Sequence, residues 1–141
     1  MNKKVVDPRF AREGEYKDVI DQIIKEGKCP FCPENFLYHK KPKLRSVGDW
    51  FITESSWPYA NSQQHFLIIC QAHKEIFSEL TTEDLVQVME LVNWAVTKFN
   101  IPGAGLCLRF GETEYTGATV CHLHFQLIVP KKSQTVNFPV G

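Results

Sequence analysis

His122-Leu123-His124-Phe125-Gln126-Leu127-Ile128 places an imidazole or amide at His122, His124 and Gln126 and a bulky apolar group between each pair. In an extended chain, residues two apart lie roughly 6.5 to 7 Å from each other on one side of the sheet. The pattern predicts a strand with His122, His124 and Gln126 on one surface and Leu123, Phe125 and Leu127 in a core. Two imidazoles and a carboxamide converge there with no carboxylate among them. A metal-hydrolysis site usually recruits an acid, whereas neutral imidazoles beside an amide suit attack on phosphorus or ligation of a metal by one ring. The plainer reading is a half-buried strand whose histidines only make hydrogen bonds.

The flanking residues favour chemistry. Upstream, Gly117-Ala118-Thr119-Val120-Cys121 offers small residues that let a ligand approach the backbone, and a Thr119 hydroxyl that can donate to an oxyanion. Further back, His65-Phe66-Leu67-Ile68-Ile69-Cys70-Gln71-Ala72-His73 reads as an aliphatic strand with a histidine at each end. With these motifs the chain resembles the histidine triad (HIT) superfamily. Its signature is a small-residue stretch before His-x-His-x-His or His-x-His-x-Gln, preceded by a strand of the form His-x-Leu-Val-Ile-Pro-x-x-His. The resemblance runs over about residues 29 to 138. Gln126 in the third place, with Asn137-Phe138 downstream, resembles the branch of galactose-1-phosphate uridylyltransferase and the diadenosine polyphosphate phosphorylases.

Composition sets wider bounds. The 141 residues are 43% hydrophobic and 23% charged, which predicts one globular domain over residues 1–141. Sixteen basic and sixteen acidic residues cancel, so no broad electrostatic footprint for nucleic acid or membrane is expected. Met1-Asn2-Lys3-Lys4 is not followed by an apolar leader segment, and the apolar run Phe66 to Cys70 is too short to span a bilayer. A cytoplasmic protein is the expectation. Five cysteines, two of them in Cys29-Pro30-Phe31-Cys32, fit reduced thiols with a metal or redox use better than a disulfide framework.

The expected architecture is α+β, a HIT-like fold with an antiparallel sheet of about five strands and helices packed on one side. Val19, Ile20, Ile23 and Ile24 predict a helix over Tyr16 to Glu26 that stops at Gly27. A polar loop through Lys40–Lys43 leads to a strand at Trp50–Thr53 and an aromatic turn at Trp57–Asn61, the region that in similar proteins encloses the nucleotide base. Thr81-Thr82-Glu83-Asp84 reads as a capping box opening a helix to Phe99, with Leu85, Val88, Met89, Val92, Ala95, Val96 and Phe99 on its core face. Leu106–Phe110 then makes a strand, and Glu112–Gly117 a turn.

Cys29, Cys32, His73 and His122 are the expected ligands of a closed structural zinc, in positions similar to those of uridylyltransferase-like members. A thioredoxin-type redox pair and two buried thiols are the alternatives, and Pro33 disfavours the helix a redox pair needs. With His122 on zinc, His124 is left as nucleophile toward the α-phosphorus of a nucleotide. Gln126, Thr119 and backbone N–H groups around Gly117 to Val120 are then the phosphate donors. His65 matches a family histidine beside the nucleophile and is expected to orient His124 or relay a proton. Arg109 stands where relatives keep an Asn, as a clamp for a distal phosphate or as a solvated surface cation. His39 reads as a loop residue.

The resulting expectation is a nucleotidyl hydrolase or transferase for a dinucleoside polyphosphate or nucleotide sugar. A non-catalytic nucleotide- or zinc-binding module is the alternative, and a metal held jointly by His122 and His124 a third option. The resemblance also implies a homodimer paired through the long helix and an adjacent strand, with Val86, Leu91 and Trp94 as the helix residues left for the partner.

Overall fold

The sheet consists of β1 (Lys43–Val47), β2 (Trp50–Glu54), β3 (Ser62–Cys70), β4 (Gly105–Leu108) and β5 (His124–Pro130), all antiparallel, in the order β1-β2-β3-β5-β4. It is flanked by α1 (Glu15–Glu26), α2 (Thr82–Lys98) and the single turn α3 (Thr113–Thr116). This is the expected α+β, HIT-like arrangement. The structure is a computed structural model describing residues 5–8, 15–36 and 39–141; Met1–Lys4, read above for a leader, lie outside the described residues.

The central strand is apolar on both faces because both faces are covered. Phe66, Ile68 and Cys70 join Trp50, Ile52, Phe125, Leu127 and Val129 against Val88, Leu91 and Ala95 of α2. On the opposite face Leu67, Ile69 and Phe51 pack with Phe31 and Phe36. The β3–β5 register sets Ile69 opposite His124 and Leu67 opposite Gln126. His124 and Gln126 therefore share the face turned away from α2. The site is built on a strand clamped between two ladders.

Thr81 caps α2 as its sequence predicts: its hydroxyl accepts the Asp84 N–H at 3.1 Å and its own N–H donates to Asp84 Oδ2 at 2.8 Å. The buried stripe differs from the expected one and consists of Asp84, Val88, Leu91 and Ala95. Leu85, Met89 and Val96 are 45%, 56% and 38% exposed. Asp84 sits in the core because Trp50 Nε1–H and Lys74 Nζ donate to its carboxylate at 2.9 and 2.7 Å, and that rotates the helix by one residue's worth of face. Leu91 is thus core and is not left for a partner; Val86 and Trp94 are half-buried, Trp94 packing on Phe99 beneath the Arg45 guanidinium.

Other boundaries also shift. β5 opens at His124 rather than His122, because Leu123 N–H turns to Lys74 O at 2.7 Å instead of joining the ladder. His73 lies beyond the end of β3, the β4 strand ends before Arg109, and α3 occupies the expected Glu112–Gly117 turn. β1 was not expected. Its Lys43 and Arg45 stand exposed on an edge strand, where charge discourages further pairing. α1 ends at Gly27, whose φ of +68° is the left-handed conformation a helix stop favours. Among the described residues no helix is long and apolar enough to cross a membrane.

Candidate functional site

The ends of β3 and β5 and the Cys29–Cys32 loop bring four soft ligands together. One ligand atom each from Cys29, Cys32, His73 and His122 lies within 4.8 Å of the others. Cys29 Sγ is 3.4 Å and Cys32 Sγ 3.8 Å from His122 Nδ1; Cys32 Sγ is 3.5 Å from His73 Nδ1, and the two Nδ1 atoms are 3.2 Å apart. A tetrahedral zinc with ordinary Zn–S and Zn–N bonds has edges of about 3.5 Å from sulfur to nitrogen and about 3.3 Å between nitrogens. The spacing fits zinc.

Tautomers fit as well. His122 Nε2–H donates to Cys70 O at 2.6 Å, which leaves Nδ1 with its lone pair toward the cluster. His73 directs Nδ1 to the cluster and sets Nε2 3.6 Å from Glu75 Oε1. Burial holds the His122 imidazole down at about 4, the neutral form a metal requires. The redox alternative is disfavoured by backbone, since Cys32 precedes a single 3₁₀ turn with Pro33 at its start rather than a helix opening at Cys29. All five cysteines are free thiols.

On the same sheet face, His124 Nδ1–H donates to His122 O at 2.8 Å, so its other ring nitrogen keeps the lone pair. Burial pushes this imidazole down to about 4 against the raising effect of the His122 carbonyl, with Arg109 adding to the lowering. The ring is neutral at pH 7 and lies edge-on to Phe31, centroids 5.0 Å apart.

His65 enters the site through Gln126. Tyr59 N–H donates to His65 Nδ1 at 3.2 Å, which puts the ring proton on Nε2, and Nε2–H donates to Gln126 Oε1 at 2.8 Å. The carboxamide oxygen is thereby engaged, and its NH₂ is the group Gln126 has to offer a ligand. Thr119 lines the same cleft, as do Gly117 and Arg109.

Two of the expected backbone donors are already spent. Gly117 N–H is spent on Thr113 O at 2.9 Å and Ala118 N–H on Thr116 Oγ1 at 3.1 Å, because α3 closes with a C-terminal cap there. Gly117 instead supplies a φ of +68° and room. Arg109 is engaged by Pro139 O at 3.1 Å and Tyr59 Oη at 3.4 Å, so it is not the solvated surface cation of the second sequence reading.

Several residues at the site escaped the sequence reading. Tyr16, Val19 and Ile20 of α1 form one wall of the cleft, and Trp57 packs on Tyr16 at a tilt of 56° with centroids 5.1 Å apart. The spacing of Tyr16 to Ile20 was the available signal. His39 also reaches the cleft, held by Thr53 Oγ1 at 2.7 Å and Ser56 Oγ at 3.3 Å. Asp7 is buried and ties the Thr119 loop down: its N–H donates to Thr119 O and its carboxylate accepts from Thr113 Oγ1, both at 2.7 Å. Nothing local in the sequence marks that contact, which spans more than a hundred residues.

The chain belongs to the HIT, or histidine triad, family, whose domain profile matches residues 59–133, just over half of the sequence. Solved structures share the fold at low identity. A histidine triad nucleotide-binding protein from Candida albicans is 17% identical with a TM-score of 0.55, covering 87% of this chain and 83% of that one. A Zn-bound histidine triad family protein from Mycobacterium smegmatis is 15% identical with a TM-score of 0.52, covering 70% and 72%. A Plasmodium falciparum diadenosine triphosphate hydrolase is 18% identical with a TM-score of 0.50, covering 70% and 74%. No curated protein matches the chain.

Proposed function

We propose that this HIT protein is a nucleotidyl hydrolase or transferase that cleaves at the α-phosphate of a dinucleoside polyphosphate or nucleotide sugar. The observation that carries this reading is the 2.8 Å bond from His124 Nδ1–H to His122 O, which leaves Nε2 of a neutral ring as a nucleophile in the cleft. In the proposed reaction the Nε2 lone pair forms a bond to the α-phosphorus, and the bond to the leaving oxygen breaks with its electron pair. The departing phosphate is weakly basic and leaves without a proton. The oxygen of water or of an ionised phosphate acceptor then forms a bond to phosphorus as the P–N bond breaks and returns its electron pair to His124; with water as acceptor, the released proton passes to solvent.

Gln126 NH₂ and the Thr119 hydroxyl serve the phosphoryl oxygens, and His65 holds Gln126 in register. Gln126 has no ionisable proton, which favours release of a phosphate over release of an amine and supports the uridylyltransferase-like and phosphorylase-like branch. Cys29, Cys32, His73 and His122 hold a structural zinc, whose role is to fix the His122 end of the strand. Zinc in the Mycobacterium relative and diadenosine triphosphate hydrolysis in the Plasmodium relative support these assignments. Cysteines that form no disulfide suit the reducing, cytoplasmic setting we assign. The partner we assign is a second copy, which covers Leu85, Met89 and Val96 of α2 and Leu106 on the edge strand β4.

A panel of dinucleoside polyphosphates, nucleotide sugars and nucleoside phosphoramidates, with and without added phosphate, tests the reading. Turnover of the first two classes above the third is the expected result. Preferential cleavage of phosphoramidates would overturn the branch assignment, and binding without turnover of any would favour the non-catalytic module.

A further inference from the structure

The chain beyond β5 returns to the cleft, where Pro139 joins its lining. Its root is fixed by Asn61, whose carbonyl accepts Lys131 N–H at 2.8 Å and whose Nδ2–H donates to Thr135 O at 3.1 Å. Beyond Thr135 the attachment centres on Arg109, with the Phe138 ring also edge-on to Tyr59, centroids 6.3 Å apart. Arg109 Nη1–H donates to Pro139 O at 3.1 Å, Nη2–H donates to Tyr59 Oη at 3.4 Å, and the guanidinium stacks 4.8 Å from the Phe138 ring centroid. Pro139 itself lines the cleft with His124, Gln126 and Thr119. Gly141 lies so close to the small-residue loop that a methyl group on Gly117 would come within 2.6 Å of the Gly141 carbonyl oxygen.

Two features make this attachment exchangeable. The segment buries little, with Pro139, Val140 and Gly141 all exposed. Its anchor is also of the weaker kind: a guanidinium bound to a neutral carbonyl gains when it exchanges that partner for the paired oxygens of a phosphate. Arg109 lines the cleft with His124 and lies near enough for its charge to act on that ring, so a phosphate chain extending from the attacked phosphorus can reach it.

We propose that Arg109 and residues 138–141 form a latch that reads the length of the phosphate chain. A ligand with one phosphate leaves Arg109 on Pro139 and the latch shut. A ligand with further phosphates takes the guanidinium, removes the anchor of residues 138–141 and frees the Gly117 side of the cleft for its own chain. The latch selects against short esters, since only a polyphosphate supplies the contacts that replace those it breaks. The proposal rests on the nucleotide reading of the cleft.

The test uses the full chain with AMP and with the uncleavable adenosine 5′-(α,β-methylene)triphosphate. The NMR signals of the Phe138 ring, held 4.8 Å from the Arg109 guanidinium, should move to free-chain positions with the triphosphate analogue and stay unchanged with AMP. Phe138→Ala, which loosens the latch, should bind the analogue several-fold tighter than the wild type while AMP affinity holds, whereas Arg109→Gln should bind the analogue more weakly. Phe138 signals that stay in place with the analogue, or that move equally with AMP, overturn the latch. Calorimetry separates the two readings: heat of binding without release of the segment sinks only the latch, and no heat with either nucleotide sinks the nucleotide reading and the latch with it.

Discussion

His65 and Gln126 are joined by a 2.8 Å hydrogen bond between β3 and β5, and the direction of that bond follows from Tyr59 N–H occupying the other imidazole nitrogen. In the proposed reaction the pair acts as one donor to the transferring phosphoryl group. Gln126→Ala should lower kcat by roughly 100- to 1,000-fold, the loss typical of one oxyanion donor. His65→Ala should cost less, and combining it with Gln126→Ala should add almost nothing, because its effect runs through the amide. Steady-state rates for the two single variants and the double variant check this, and fully additive losses would assign His65 an independent role.

The zinc set has a stability signature. Purified protein should carry about one zinc per chain, and Cys29→Ser or Cys32→Ser should weaken binding by at least about 100-fold, equal to ~2.7 kcal/mol of folding stability. At about 3 °C per kcal/mol for a chain of this length, the melting temperature should fall by roughly 8 °C. Elemental analysis and thermal melts with and without a chelator measure both. A double Cys29→Ser, Cys32→Ser variant with unchanged metal content and melting temperature would exclude the site.

Asp84 governs acid stability at the other face of the sheet. Burial alone would raise its carboxyl, but hydrogen bonds from Lys74, Trp50 and Thr81 outweigh that and hold it well below the usual carboxylate range. A carboxyl lowered on folding contributes stability that is complete above its unfolded value and is lost as pH falls through the folded one. Asp84→Asn should therefore cost about 1.5 to 3 kcal/mol at pH 7, and the gap to wild type should narrow below about pH 4. Urea unfolding of both proteins across that range checks it, and taking the difference cancels the proton dependence of the metal site. A gap that widens on acidification would reverse the assignment.

The apolar residues left exposed on α2 give the dimer a test. Met89→Glu with Leu106→Glu should convert a dimer to a folded monomer, read by sedimentation equilibrium at micromolar concentration. A wild-type monomer under those conditions removes the second copy from the account.

How far the sequence reveals this molecule depends on the range of the interaction. The period-two pattern around His124 and Gln126 was legible because strand alternation is local, and the Thr81–Asp84 cap because its partners are three residues apart. The face of α2 was misread because hydropathy counts Asp84 as surface, while Trp50 and Lys74, distant in sequence, make it core. The four side chains of the Cys29, Cys32, His73 and His122 cluster were picked out by their residue types together with the family resemblance, and the fold brings them to one place. The strap of Asp7 on the Thr119 loop, the α1 wall of the cleft and the hold of Arg109 on Pro139 depend on tertiary contact alone, and no periodicity announces them.

The central claim is that His124 is the nucleophile, and the most direct measurement is intact mass after brief mixing with a labelled dinucleoside polyphosphate and a quench that avoids acid. One nucleotidyl adduct, mapping to His124 and missing in His124→Ala, is the expected result, with the variant inactive yet folded and still able to bind nucleotide. Full turnover by His124→Ala, or an adduct on another residue, would contradict it.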